Sequence, residues 1–159
     1  MEQKSLSRLL KGIVAGAGIC GLIIYLILLP YIGQGILADY PEFSDRYYPW
    51  LVFLWITGIP CYVALFFGWQ IAESIGRDES FTNQNAQRLK KISYLAIGDA
   101  AFFFIGNLVY LCMNMNHPGV VIFSLFVVFV GIVISVIAAA LSHLVKKAAV
   151  LQEESDLTI

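Results

Sequence analysis

Four long apolar stretches, almost free of charge, constrain the fold of this 159-residue chain more than any other feature. They cover about residues 12–33, 50–71, 92–113 and 119–144, and Asp99 is the only charged residue inside them. A helix crosses the apolar core of a bilayer in roughly 20 residues and satisfies its own backbone hydrogen bonds there. We therefore predict an all-α integral membrane bundle of four transmembrane helices, with residues 1–159 forming a single domain.

Composition argues against several other classes of protein. Hydrophobic residues make up 59% of the chain and charged residues 13%, whereas soluble domains average about 45–50% and about 25%. The formal net charge of −1 provides no field that would attract DNA or RNA, so we expect no direct nucleic-acid binding. The three cysteines and two histidines show no metal-ligand spacing, and no catalytic set can be assembled. We expect neither enzymatic activity nor a cofactor or metal.

The distribution of lysine and arginine predicts the orientation of the chain in the membrane. Every basic residue except Arg46 lies before the first span, between the second and third spans, or after the fourth. Cytoplasmic segments of membrane proteins carry the excess of basic residues, so we place both termini and the middle loop in the cytoplasm. The apolar run that follows Lys11 is longer than a signal-peptide core, so we expect it to be retained as the first span.

Small residues at four-residue spacing mark candidate packing faces, because helices in lipid associate where their backbones can approach closely. Such faces occur in the first span at Gly12, Gly16 and Cys20, and in the fourth span at Gly131, Ser135 and Ala139. The same faces fit packing within one bundle or an interface between copies of the chain in a homo-oligomer. The sequence leaves both alternatives open.

Asp99 is the residue inside the spans that most invites a functional reading. Charged side chains within the membrane are costly and face the protein interior or water. Asn107 lies eight residues further on, which puts both side chains near one stripe of a helix. The pair predicts an intramembrane polar site for a proton, a cation or a ligand. A satisfied interhelical hydrogen bond, or a carboxylate that reaches interfacial water, explains Asp99 equally well.

The most distinctive segments are predicted to be cytoplasmic. Residues 82–91 suggest a short amphipathic helix on the inner surface, with Thr82 as its N-cap. The tail, residues 145–159, extends the fourth helix, turns acidic and ends in three residues of which two are apolar. An apolar tip has little reason to lie in water. It could dock on a partner, or it could pack on the middle loop of the same chain.

At these two segments the chain resembles the YoaS-like family of bacterial four-span membrane proteins of unknown function. The match rests on S-F-T-x-x-N-x-x-R-L-K-K-I at residues 80–92 and L-Q-E-E-x-D-L-T-I at residues 151–159. The resemblance implies a multi-pass protein of the bacterial cell membrane whose motif residues face a cytoplasmic partner, such as a small helix-turn-helix transcription regulator. The residues expected to contact that partner are Phe81, Arg88, Lys90, Lys91, Glu153, Glu154, Asp156, Leu157 and Ile159.

Two functions therefore follow from the sequence. The first is a non-enzymatic, regulatory membrane protein that binds a cytoplasmic partner and contacts the lipid bilayer along its spans. The alternative is a small transporter or channel subunit with its polar site at Asp99 and Asn107. Asp99 is not a hallmark of the family it resembles, and this weakens the alternative.

Overall fold

The computed structural model describes residues 3–156, with Asp156 described in its backbone alone. Five α-helices follow one another: α1 (Gln3–Ile23), α2 (Leu29–Asp39), α3 (Ser44–Gly76), α4 (Asn83–Cys112) and α5 (Pro118–Asp156). A π-helical turn, Ile24–Leu28, joins α1 to α2 without a break, and a 3₁₀ turn, Pro41–Phe43, leads into α3. Residues 3–156 contain no strand. The prediction of an all-helical chain with four long apolar helices is confirmed.

The helical units are longer than a membrane requires. They hold 37, 36, 30 and 38 residues, or about 45–57 Å at 1.5 Å per residue, against a hydrocarbon core of about 30 Å. Each predicted span lies within one unit, apart from Met113, which follows the end of α4. The segment predicted as a separate surface helix, residues 82–91, is instead the beginning of α4 and continuous with the third span. Gln3 and Glu153 line the same cleft, so the beginning of α1 and the end of α5 lie on one side of the molecule.

The helices are arranged as an open row in the order α1, α3, α4, α5. Within residues 3–156, α1 packs on α3, α3 on α4 and α4 on α5, and no Cα atom of α1 lies within 8 Å of one in α4 or α5, nor one of α3 within 8 Å of one in α5. The bundle expected from the sequence is therefore not closed within one chain. How the row is oriented across a cell membrane remains a prediction from the basic residues.

The α4–α5 pair packs through small residues that recur every seven positions. The recurring positions are Ala86, Ser93, Ala100 and Asn107 on α4, and two series on α5, which are Ser124, Gly131 and Ala138, and Ser135, Ser142 and Ala149. A seven-residue repeat keeps one seam in contact as two helices coil around each other. The hydroxyl oxygens of Ser93 and Ser135 lie 3.0 Å apart. A Cβ added to Gly131 would lie 2.9 Å from the Ala100 Cβ. Of the predicted face, Gly131 and Ser135 are in the seam, but Ala139 is exposed and its assignment was wrong.

The α1–α3 pair is held by hydrogen bonds to backbone carbonyls. The Ser7 hydroxyl donates to the Ala72 carbonyl at 2.6 Å, and the Tyr62 hydroxyl donates to the Gly18 carbonyl at 2.7 Å. A Cβ on Gly76 would lie 2.7 Å from the Ser7 oxygen, so this close approach needs glycine.

The face of α1 predicted to pack within the chain points elsewhere. Gly12, Gly16 and Cys20 are exposed, and nothing lies within 4 Å of a Cβ placed on either glycine. The internal-packing interpretation of that face is therefore wrong for the single chain. The residues of α1 that do face α3 lie on a different stripe, which includes Ser7, Val14, Gly18 and Gly21.

Helices α3 and α4 end in the same way, and these two ends shape the two loops. Asp78 and Asn114 have positive φ angles of 66° and 54°, a conformation that Asp and Asn tolerate better than most residues. The next amides, of Glu79 and Met115, donate back across six residues to the carbonyls of Ser74 and Tyr110 at 3.0 and 2.8 Å. This is the Schellman pattern of a helix C-terminus.

Candidate functional sites

The loop between α3 and α4 is built from residues of the S-F-T-x-x-N motif. The Thr82 hydroxyl oxygen accepts a hydrogen bond from the Asn85 amide at 3.2 Å, which confirms Thr82 as the N-cap of α4. The Asn85 side chain is 1% exposed and donates to the carbonyls of Glu79 at 3.0 Å and Ser80 at 3.2 Å. Asn85 therefore fixes the path of the loop that precedes its own helix.

Arg88 extends this arrangement back to the preceding helix. Its guanidinium donates to the Asn85 side-chain oxygen at 2.8 Å and to the Ser74 hydroxyl at 3.0 Å. These contacts tie the end of α3 to the beginning of α4. We call the set formed by Ser74, Thr82, Asn85 and Arg88 the loop clasp. The sequence places Arg88 among the partner-binding residues, and in the structure it has a structural task.

A cleft of about 470 Å³ lies beside the loop clasp, on the side of the molecule that holds the chain ends. Its walls come from the loop, residues 78–83, from α5 at residues 149–153, and from Gln3. The two segments that carry the family resemblance thus meet at one place. Phe81 lines this termini-side cleft with 55% of its side chain exposed. Among the described lining residues, Asp78, Glu79 and Glu153 are acidic and none is basic.

The other residues predicted to bind a partner are distributed around this cleft. Lys90 and Lys91 are exposed and do not line the cleft. Their amines lie 5.6 and 5.2 Å from the ring centres of Tyr94 and Phe67. Glu154 is exposed on α5 beside Glu153. Asp156 has no described side chain, and Leu157 and Ile159 lie outside the described residues.

Within the membrane-spanning part, Asp99 faces α3 rather than Asn107. The Cys61 thiol donates to one Asp99 carboxylate oxygen, with 3.7 Å between sulfur and oxygen. The other oxygen, Oδ1, is buried and has no hydrogen-bond partner within residues 3–156. Cys61 lies four residues after Thr57 on α3, and the Thr57 hydroxyl lies 3.3 Å from the Tyr25 hydroxyl. This intramembrane polar cluster joins α4, α3 and the first helix.

The π-helical turn leaves the Tyr25 carbonyl without a donor from its own helix. In a π-turn each carbonyl accepts from the amide five residues ahead, and the residue five ahead of Tyr25 is Pro30, which has no N–H. The indole Nε1 of Trp55, on α3, donates to the Tyr25 carbonyl at 2.9 Å instead. Turns of this type occur frequently at functional sites.

Asn107 has a different environment from Asp99. It is 1% exposed, donates to the Phe103 carbonyl at 2.8 Å and accepts from the Asn116 side chain at 2.8 Å. It therefore ties the end of α4 to the loop before α5. The eight-residue spacing put both residues on one stripe, about 12 Å apart along the axis, but the structure gives them separate partners.

Sequence reasoning found Asp99 but missed its neighbours, Cys61 and Tyr25. The one available signal was Pro30, five residues after Tyr25. Because proline has no N–H, it cannot donate to the Tyr25 carbonyl in a π-turn. Nothing in the sequence indicates which face of α3 meets α4, so the choice of Cys61 as the partner of Asp99 required the structure.

The fold defines a multi-pass helical membrane protein, and comparison with known families gives its relationship. Residues 31–159 match the family described as "Protein of unknown function (DUF2975)". This region is more than half of the chain, which therefore belongs to that family.

A curated relative supports the same relationship. The chain is similar to the "Uncharacterized membrane protein YoaS" of Bacillus subtilis (strain 168), with 29% identity over 144 residues, 89% of this chain and 90% of that protein. The resemblance to YoaS-like membrane proteins is confirmed. No solved structure matches the chain at a significant level.

Proposed function

We propose that the protein is a regulatory, non-enzymatic membrane protein that binds a cytoplasmic partner at the termini-side cleft. The observation that carries this proposal is the meeting of the two family motifs around one cleft, with Phe81 left 55% exposed. A large aromatic side chain in a rimmed depression is a typical anchor for a protein partner. The prediction that both termini are cytoplasmic puts the cleft on the inner side of the membrane.

The chemistry of the cleft suits a basic partner, such as a small helix-turn-helix transcription regulator. Asp78, Glu79 and Glu153 line it without a lysine or arginine among the described lining residues. DNA-binding proteins present a basic face to the phosphate backbone. A regulator held by that face at the membrane could not bind DNA at the same time, so release from the cleft would return it to its operator.

Site-specific crosslinking in native membranes tests this proposal. A photoreactive phenylalanine analogue replaces Phe81 in the full-length chain, and a control variant carries it at Tyr94, which is 62% exposed on α4. We expect a small DNA-binding protein to be captured from position 81 and not from position 94. Capture of no soluble protein from position 81, in folded protein, would overturn the proposal.

The charge argument has its own test. Replacing Asp78 and Glu79 with asparagine and glutamine should abolish capture from position 81 while the helix content stays unchanged. Capture at the original yield would show that the acidic wall plays no part. Deleting residues 157–159 tests the tail in the same assay: undiminished capture would exclude it from the partner site.

We propose a small transporter or channel subunit as a second candidate, because one oxygen of Asp99 is buried without a hydrogen-bond partner within residues 3–156. Such a carboxylate could take up a proton or a cation. The test is proton flux into liposomes that hold a pH-sensitive dye, comparing Asp99→Asn with Asp45→Asn, an exposed residue at the beginning of α3. We expect loss of flux only in Asp99→Asn. Equal flux in both variants would exclude Asp99 from any pathway.

A further inference from the structure

A second cavity, of about 430 Å³, lies at the end of the molecule opposite the chain termini. It is bounded by α2, the beginning of α3, the loop between α4 and α5, and the first turn of α5. Protein pockets that bind small molecules have volumes of about 300–1,000 Å³. Most of the wall is apolar, with contributions from Ile36, Leu37, Val120, Phe43, Tyr47 and Trp50.

Arg46 is the charged group in this wall. It is half-buried, its guanidinium donates to the Asn114 carbonyl, and it lies 5.3 Å from the ring centre of Phe43. Arg46 has no carboxylate partner within residues 3–156. A guanidinium has five N–H donors, and a carbonyl and an aromatic ring leave its charge without an anion.

Two other polar residues of the wall, Asn116 and His117, form hydrogen bonds at this end of the molecule. The Asn116 side chain donates to Asn107 and accepts from the His117 amide at 3.0 Å, and His117 Nδ1 accepts from the Gly119 amide at 3.0 Å. These bonds fix the loop and occupy both polar atoms of the Asn116 side chain and Nδ1 of His117. Arg46 is therefore the charged residue of the wall that could bind an anionic ligand.

We propose that this cavity binds an acidic phospholipid, with the phosphate at Arg46 and the first part of one acyl chain along the aliphatic wall. Arginine matches phosphate with two parallel N–H donors. Tyr47 and Trp50 belong to a tyrosine- and tryptophan-rich segment of the kind that lies at the head-group level of membrane proteins. The cavity thus combines a single anion-binding group with an apolar slot, as an anionic amphiphile requires. The proposal is independent of the function assigned to the termini-side cleft.

The experiment uses Trp50 as the reporter, since it lines the cavity. Trp55→Phe and Trp69→Phe leave Trp50 as the one tryptophan in the full-length chain, which has three. The protein is reconstituted in phosphatidylcholine vesicles that contain a minor fraction of brominated lipid. We expect brominated phosphatidylglycerol to quench Trp50 at a concentration on the order of tenfold lower than brominated phosphatidylcholine. A tenfold difference in affinity is what one additional hydrogen bond to a charged group provides.

Two variants connect this selectivity to the cavity. Arg46→Gln should remove the preference for phosphatidylglycerol, whereas Arg46→Lys, which keeps the charge, should retain part of it. Val120→Phe fills the cavity without changing Arg46 and should also remove the preference. Ile122→Phe, at a position 62% exposed on the same helix, is the matched control and should leave it unchanged.

Three results would overturn the proposal. The first is equal quenching by the two brominated lipids in the parent protein. The second is a full preference for phosphatidylglycerol in both Arg46→Gln and Val120→Phe. The third is relief of the quenching by millimolar glycerol 3-phosphate, which would mean that the site recognises a free phosphate rather than a lipid. Circular dichroism of each variant checks that its helices are intact.

Discussion

The loop clasp makes a quantitative prediction for Asn85→Ala. The buried side chain of Asn85 holds two backbone carbonyls and the Arg88 guanidinium. The two neutral hydrogen bonds contribute about 1 kcal/mol each, and the bond to the charged group about 1.5–3 kcal/mol. Alanine recovers roughly 0.6 kcal/mol of helix propensity. We expect the free energy of unfolding to fall by about 3–4 kcal/mol, with the loss concentrated at the junction of α3 and α4.

Two measurements check this prediction, and Gln87→Ala is the control because Gln87 is exposed two residues further along α4. Reversible unfolding in mixed micelles, followed by circular dichroism, gives the change in stability. Hydrogen exchange should accelerate at residues 79–82 in Asn85→Ala and not in the control. If both variants unfold alike and exchange alike, the clasp does not hold the loop and the reasoning fails.

Three further predictions concern the contacts between helices, each measured as the free energy of unfolding in the same micelles. Gly131→Val should cost about 1–3 kcal/mol by overpacking the α4–α5 seam, whereas Gly12→Val, with open space around it, should cost less than 0.5 kcal/mol by the usual effect of surface changes; equal costs would contradict the seam. Tyr62→Phe removes the hydrogen bond to the Gly18 carbonyl and should cost about 0.6 kcal/mol, the average for hydrogen bonds inside membranes. A change above about 2 kcal/mol would mean that the hydroxyl stabilises the protein through more than this one hydrogen bond. Phe53→Ala removes a ring that is 6% exposed between α3 and α4 and should cost about 2 kcal/mol, because the cavity term remains in lipid whereas the transfer term is small; a cost below about 0.5 kcal/mol would mean that the helices close over the gap.

The four apolar spans and their approximate positions could be predicted from the sequence because they depend on local properties, whereas the helices extend well beyond the predicted bounds. Apolar length, the absence of charge and a threonine N-cap are all visible along the chain. The prediction of a surface helix separate from the third span was wrong. Lys90 and Lys91 interrupt the apolar pattern of the sequence, but they do not break the helix. Their amines lie against aromatic rings, as long basic side chains do at the edge of a membrane.

The sites were less accessible to sequence reasoning because they depend on which helix faces meet. The motif at residues 80–92 was recognised, but its residues divide into two groups that the sequence does not distinguish. Thr82, Asn85 and Arg88 are turned inward to build the loop, whereas Phe81 is turned outward into the cleft. The partner of Asp99 depended in the same way on the contact between α3 and α4, for which no local pattern exists.

The open row has a physical explanation in the distribution of small residues. Burying a large apolar side chain against another helix gains little in lipid, which is equally apolar, so helices associate where small residues let their backbones approach. Helix α5 meets α4 at Gly131 and Ser135, and its other surface carries large exposed side chains, with Phe126 at 66% and Phe129 at 64% exposure, beside the smaller Ala139 and Ala140. Within residues 3–156 this leaves α5 with one partner, at the end of the row. Helices α3 and α4 each present two faces suited to contact, and they accordingly occupy the middle.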